Sequence, residues 1–495
     1  RSHAVKDTFD FDELVPFFLD KALPGDTMNL SVDSFARLAT QAVPLMDNMY
    51  IDYFFFAVPI RLVWSNFVKM MGEQEDPGDS ISYSVPTITV NTASGVSVGT
   101  IYDHFGIPTD VDDITFNALP LRCYYLIWNE WFRSQDLQNS LTVDLDDGPD
   151  AVTDYTIQKR GKRHDYFTSC LPAPQRGTAL DIPLGDVVTN NQTIQFVGAT
   201  ENTDRPFKVL SADDSTILFG FAGGGDEEVE FGSESGLQVA ATTINALRNS
   251  WMIQSLLEKD ARGGTRYREI IRSHFNVTVP DYRVQVPEFL AAGSTKIMQH
   301  PVAATAHTSG TDYQANLAAY STSMNVGGKI GFTKSFHEHC YVVGLMSARS
   351  DITYQHGLEK LWRRSERYDF FWPSLQQLGE EAVTLGELYL QGSVVGNDDN
   401  VFGYQERYSS YRYKNSQIKG QFRSTYSSSL DSWHLAEELS SEPSLNSTFI
   451  ESNTPIERNL AVAASYPHIL FDAFIKLKHT RPMMVHGVPA TLGRF

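Results

Sequence analysis

Three short stretches carry residue types that could do chemistry. Phe336-His337-Glu338-His339-Cys340 sets two histidines two positions apart, which on a strand would share one face, a geometry some zinc sites use. No third ligand can be named and the pattern is not HExxH, so histidines satisfied on an interface are the expected reading. Asp144-Leu145-Asp146-Asp147-Gly148-Pro149-Asp150 superficially suggests a calcium loop. Its glycine comes one position too early for an EF-hand and no Glu closes it, which predicts a solvated turn. Gly263-Gly264 lacks the spacing of a phosphate loop and a preceding strand, so it reads as a helix break. Neither a Walker loop nor a dinucleotide fingerprint occurs. A carboxylate pair of the kind glycosidases use needs no local spacing, but nothing here sets two acids in a defined cleft.

Basic residues interleaved with aromatics are the stronger signal. The sequence is organised around Val401 to His434, which reads as two β-segments hinged at Lys414-Asn415-Ser416. Tyr404, Glu406 and Tyr408 fall on one parity and Arg407, Tyr411 and Tyr413 on the other, so both faces would carry aromatics. Arg407, Arg412, Lys414, Lys419 and Arg423 face only Glu406 and Asp431, a basic island in an acidic chain. Such density marks a surface for protein or nucleic acid, or else rings in a sandwich core with arginines snorkelling outward. Lys159, Arg160, Lys162 and Arg163 form a second cluster ahead of Tyr166 and Phe167, read either as a solvated loop or as a phosphate contact.

The elements that must hold these residues are mostly strands. Met28–Val32 alternates, Met49–Val58 is an aromatic buried strand, Lys329–Met346 reads as two strands, and Ile456–Phe474 with Ile475–Val488 supply closing strands. Helices are expected at Leu62–Gly72, at Leu119–Trp131 with Pro120 in its first turn, from Thr243 to Lys259, at Tyr267–Phe275 and near Gly357–Trp362. In the second-to-last of the longer ones Ile244, Leu247, Trp251, Met252, Leu256 and Leu257 line one face. Between Val187 and Gln238 the composition turns to Asn, Thr, Gly and acidic residues, with Gly223-Gly224-Gly225 ahead of Asp226-Glu227-Glu228. Thr193–Val197 and Thr216–Phe221 suggest a small β-hairpin insert, a surface excursion from the main fold.

With 495 residues the chain is long enough for about three domains on a soft prior that β-rich chains often break. Apolar residues at 42% allow a large core, and a net charge of −20 excludes global attraction to nucleic acid, leaving only local patches or a basic partner. Cys123, Cys170 and Cys340 are odd in number and far apart, which fits a reducing cytoplasm without a disulfide framework or CxxC metal site. The longest apolar run, Tyr53–Ile60, is too short to span a bilayer, so no membrane association is expected, and no signal peptide is visible. Because the chain opens on Arg1, further residues are expected to precede it.

Several long stretches together resemble the major capsid proteins of gokushoviruses, small tailless single-stranded DNA bacteriophages of the Microviridae. They include residues 1–27 (RSHAVKDTFDFDELVPFFLDKALPGDT), 36–64, 162–177 (KRHDYFTSCLPAPQRG), 256–277 (LLEKDARGGTRYREIIRSHFNV), 331–362, 367–383, 401–425 and 430–439. These run in order along most of the chain and lapse in 78–118 and 187–240. The resemblance implies a mainly β protein: an eight-stranded viral jelly-roll sandwich spanning residues 1–495, whose long inter-strand insertions contain short helices. It implies a homo-oligomer that passes through pentamers to a T=1 icosahedral shell around a circular single-stranded DNA genome. Other implied partners are a small basic DNA-packaging protein, minor virion proteins and a bacterial surface receptor. The variable segment 187–240 would then form a protrusion at the threefold axes suspected of host attachment, on a virion assembled in the host bacterial cytoplasm. No catalytic role, cofactor or metal is implied. Within such a shell, Lys159, Arg160, Lys162, Arg163, Arg407, Arg412, Lys414 and Arg423 would contact DNA, with Tyr411 and Tyr413 stacking on bases, or would pair with carboxylates of neighbouring subunits. A monomeric cytoplasmic β-sandwich, either a glycan-binding module or a glycoside hydrolase, is the competing reading.

Overall fold

The structure is a computed structural model that describes residues 1–91, 95–178, 243–303, 317–392, 396–462 and 464–483, together with the backbone of six short strands between 187 and 239. Eight long strands form the framework: β1 (His3–Phe9), β2 (Val15–Ala22), β3 (Thr27–Leu38), β4 (Met49–Pro59), β5 (Glu288–Ala303), β6 (Leu317–Ser335), β7 (Cys340–Ser350) and β8 (Ile469–Thr480). Every pairing is antiparallel, in the order β1-β8-β3-β6-β5-β4-β7-β2. Strand one therefore pairs with strand eight, two with seven, three with six and four with five, the wrapping of a jelly roll. The long excursion between β4 and β5, and that between β7 and β8, hold nearly everything outside the framework.

Side-chain period two builds the sandwich. On β8, Ile469, Phe471, Ala473, Ile475 and Leu477 point inward and every intervening residue through Lys478 is exposed. They meet Met28, Leu30 and Val32 of β3 and Ile51, Tyr53 and Phe55 of β4 in one core. Strands β4 and β7 are buried on both faces, because a second layer covers the outer side. That layer is built on α1 (Leu119–Ile127), whose Leu121, Tyr124 and Ile127 pack with Phe56 and Val58 of β4 and Val343 and Leu345 of β7. Pro120 lies in its first turn, as expected from the sequence. Arg122 is fully buried in this layer, where Nε donates to Asp150 Oδ2 at 2.8 Å and Nη1 to the Asp146 carbonyl at 2.9 Å. The Asp144–Asp150 loop is exposed from Leu145 to Pro149, as expected of a solvated turn, but its last residue departs from that: Asp150 is buried as the counter-ion of Arg122, and Asp147 accepts the Trp64 indole N–H at 2.7 Å.

Other expectations are corrected. Leu62–Gly72 is no continuous helix but a 3-10 turn at Ile60–Leu62 and one α-turn at Phe67–Met70, separated where the Trp64 indole is tied to Asp147. His337 and His339 share no strand face, since they lie in the turn between β6 and β7, with the His339 ring edge-on to Phe67 at 5.6 Å. The chain closes with one strand, β8, and not two; Ile456–Arg458 is a 3-10 turn, and the residues beyond 483 lie outside those described. Gly357–Trp362 is extended until a single turn at Lys360–Arg363.

By contact clustering the chain divides into two units, Arg1–Pro174 with Asp260–Phe495, and Gln175–Lys259. In the second, Phe207–Asp213 and Thr216–Phe221 form an antiparallel hairpin, while Phe196–Val197 pairs with Glu230–Phe231 and Val187–Thr189 with Leu237–Val239. Residues 193–195 and 223–228 lie outside the described residues. Helix α2 (Ile244–Gly263) ends on the expected glycines, Gly264 having φ +90°, and α3 spans Tyr267–Phe275. Ile244, Leu247, Trp251, Met252 and Leu256 form the expected stripe on α2, but all five are exposed. Among the described residues no helix is long and apolar enough to cross a membrane.

Candidate nucleic-acid interface

The stretch Val401–His434 does not form two hinged strands. Only Val401–Glu406 is a strand, paired with Glu380–Thr384, and 3-10 turns follow at Ser409–Tyr411, Gly420–Phe422 and Asp431–Trp433. The ladder stops because Tyr408 takes a left-handed conformation (φ 62°) and its N–H turns to the Glu381 carboxylate at 2.9 Å. Its basic side chains find partners within their own chain. Arg412 pairs with Glu406, Lys414 Nζ lies 2.6 Å from Glu359, and Arg423 donates to the Gln355 carbonyl at 3.2 Å. Arg407 lies 5.0 Å over the Tyr408 ring, with its Nε buried and unpartnered. The rings are likewise engaged on one side: Arg364 sits 3.8 Å over Tyr411, and Tyr413 stacks on Tyr166 at 5.6 Å and 13°. Tyr411, Arg412, Tyr413 and Lys414 line one small pocket of about 320 Å³, which also contains the buried Glu387. Burial pushes that carboxyl above its ordinary range, against the pull of Lys360.

The first basic cluster divides. Arg160 pairs with Asp52, which also accepts from Arg349 Nε at 2.7 Å. Burial works against the charge of Asp52, but the two guanidiniums win and hold it below the usual carboxylate range. Lys162 Nζ lies 2.7 Å from Glu437 and 4.3 Å from the Phe449 ring centroid. Lys159 is exposed and reaches only Asn453, at 3.4 Å. Arg163 is exposed, and among the described residues its guanidinium has no partner.

Arg160, Lys162 and Arg163 line a cleft of about 1,040 Å³. Its other cations come from residues the sequence reading passed over. Helix α1 runs into a π-helical turn at Trp128–Phe132, closed by the Arg133 N–H donating to the Trp128 carbonyl at 2.9 Å, and so delivers Arg133 to the cleft. Arg262 stands at the end of α2, bound to Glu380 and Glu406. Arg266 precedes α3, where the Glu269 carboxylate accepts its N–H at 3.1 Å as a cap, and Arg272 projects from the same helix. Seven Arg or Lys side chains thus line the cleft against two carboxylates, Asp136 and Glu269, with Phe54, Phe56, Trp131, Phe132 and Phe289 between them. Three of the four arginines between 262 and 272 line the cleft, and that run was the sequence signal for it. Cations with interleaved rings suit the phosphates and bases of a single strand. On the Arg407–Arg423 island Arg412 and Lys414 are paired with carboxylates, and in the cleft Arg160, Lys162, Arg262 and Arg266 are paired likewise, which leaves Arg133, Arg163 and Arg272 without a carboxylate partner among the described residues.

Comparison with known proteins gives a consistent answer over the whole length. Residues 1–491 match the family described as capsid protein (F protein). The chain is 49% identical to capsid protein VP1 of Bdellovibrio phage phiMH2K, with all of this chain and 95% of that protein covered. It is 38% identical to capsid protein VP1 of Chlamydia phage 1, over 99% of this chain and 94% of that protein. Against capsid protein VP1 of Spiroplasma virus 4 the identity is 32%, over 98% and 94%.

Proposed function

Because the chain belongs to the capsid protein (F protein) family of phages, we propose that it is the subunit of a T=1 icosahedral shell that encloses circular single-stranded DNA. Family membership makes it a structural virion protein that assembles with copies of itself, and it removes the glycan-binding and glycosidase alternative. Assembly proceeds through pentamers in the host bacterial cytoplasm, a small basic packaging protein and minor virion proteins join the shell, and residues 187–240 form threefold protrusions that meet a bacterial receptor.

One observation carries the self-assembly reading. The insertion between β7 and β8 exposes Leu361, Trp362, Tyr368, Phe370, Phe371 and Leu378 within eighteen positions, Trp362 to 73%. Aromatics concentrated on one uncovered segment are what subunit interfaces bury. The cationic cleft supports the enclosure of DNA, because a −20 subunit must offset its repulsion of a polyanion locally. Negative-stain images of the purified protein are expected to show closed shells whose nucleic acid is degraded by a single-strand nuclease after disruption and resists exonuclease. A protein that stays monomeric under all assembly conditions refutes the proposal.

A further inference from the structure

Within the large cleft two guanidiniums are held in an arrangement that the chain itself leaves incomplete. Arg266 spends Nη2 on the carbonyls of Asn129 (3.0 Å) and Arg133 (3.1 Å) and Nη1 on Glu269 (3.2 Å). Its Nε is buried without a hydrogen-bond partner, with Glu130 no nearer than 3.8 Å. Arg133 donates Nη1 to the Gln138 carbonyl at 2.8 Å, and its Nε is also buried and unpartnered. A buried donor without an acceptor is costly, and more so when charged. Burial, and then the charge of Arg266, draw Arg133 below the usual arginine range, so the two cations repel across the cleft wall. Arg272 stands exposed on the same wall, with no side-chain partner among the described residues.

We propose that Arg133, Arg266 and Arg272 form a seat for a backbone phosphate of single-stranded DNA, with Arg163, which lines the same cleft, taking the next. The proposal rests on the reading that the shell encloses such a strand. A phosphate brings the several acceptor oxygens that two unpartnered Nε–H groups and a free guanidinium require. A single acidic side chain would neutralise one cation and leave the rest, whereas a strand repeats its charge along the cleft. At about 1,040 Å³ the cleft matches or exceeds the largest sites for drug-sized molecules, roughly 300–1,000 Å³, and so has room for more than one nucleotide. The seat is assembled from the π-helical turn and α3, so the strand is gripped on rigid elements rather than on a loop tip.

The test titrates full-length protein, stripped of nucleic acid at high salt, with a fluorescein-labelled oligodeoxythymidine at several salt concentrations. Arg272→Ala has no side-chain bond to lose among the described residues. It is expected to weaken binding on the order of tenfold, the worth of one charge-assisted hydrogen bond. It should also flatten the log–log salt dependence by about 0.7. Arg133→Lys keeps the charge but loses the fork, so affinity should fall while the slope stays. Arg412→Ala, outside the cleft, should change neither. If the wild type binds and both cleft variants match it, the seat is wrong, although the enclosure of DNA survives. Equal competition by polyglutamate reassigns the cleft to an acidic peptide and overturns the seat. Failure of the wild-type protein to bind, together with shells devoid of single-stranded DNA, sinks both ideas.

Discussion

Individual ionic groups in this protein do opposite work depending on whether water reaches them. Asp150 and Arg122 are both buried, and although burial opposes the charge of Asp150, Arg122 and then Tyr155 hold its carboxyl below the usual range. Asp150→Asn leaves an uncompensated buried cation, so chemical denaturation should show a loss of about 3–5 kcal/mol. Arg412 and Lys414 instead meet Glu406 and Glu359 at the surface. Converting both to Ala should cost no more than about 1 kcal/mol per pair and leave the DNA content of particles unchanged; shells that emptied would return this island to the genome. His104 offers a pH signature, its ring nitrogen lying 2.8 Å from Asp7. Burial disfavours its charge, but the Asp7 bond prevails and raises it above 6.5. Because the folded-state value is the higher one, this stabilisation is complete below about pH 6.5 and disappears as pH rises through the raised value. Melting temperatures from pH 6 upward should therefore decline in the wild type, and that decline should be shallower in His104→Gln.

At the scale of elements, legibility followed locality. The aromatic run of β4 was readable as a buried strand because both of its faces are covered, one by the sandwich and one by the α1 layer. Helix α3 was readable because a cap, a periodic face and a left-handed Asn276 all lie within its own segment. The closing region misled, since Ile456 is buried through a turn that Asn459 fixes from outside, donating to the carbonyls of Val43 and Ser432 at 2.9 and 2.7 Å. Val401–His434 misled similarly, because Tyr408 turns the chain and no spacing rule reveals a positive φ at tyrosine. The cleft was the least legible part: Arg133 and Arg266 lie far apart in sequence, and only the insertion between β4 and β5 brings them to one wall. Close approach can be tested in β7, where a Cβ on Gly344 would meet Phe18 Cβ at 2.9 Å and the Phe55 ring at 3.1 Å. Gly344→Ala should lower stability by about 1–3 kcal/mol, the usual effect of overpacking; an unchanged melt would mean that the two rings have room to move.

For the whole molecule, the framework is one jelly roll and the rest of the chain hangs between its strands. Among the described residues the eight strands pair with one another, and none pairs with a strand between 187 and 239. Gln175–Lys259 is likewise a compact unit distinct from the rest. Folding of the sandwich should therefore not depend on that segment. A strand lost from the main sheet would remove a ladder and half a core layer, while a loop shortened outside it changes mainly closure entropy, about 0.6 kcal/mol per doubling of length. Replacing 187–240 by a short Gly-Ser linker should leave soluble protein and shell formation nearly intact, read by melting temperature and negative stain. If the segment is the outer protrusion that meets the receptor, the same particles should lose adsorption to host cells. Normal adsorption by the deleted particles would place attachment elsewhere on the shell. Loss of soluble folded protein would show instead that the segment belongs to the core after all, and no independent insertion could then be claimed.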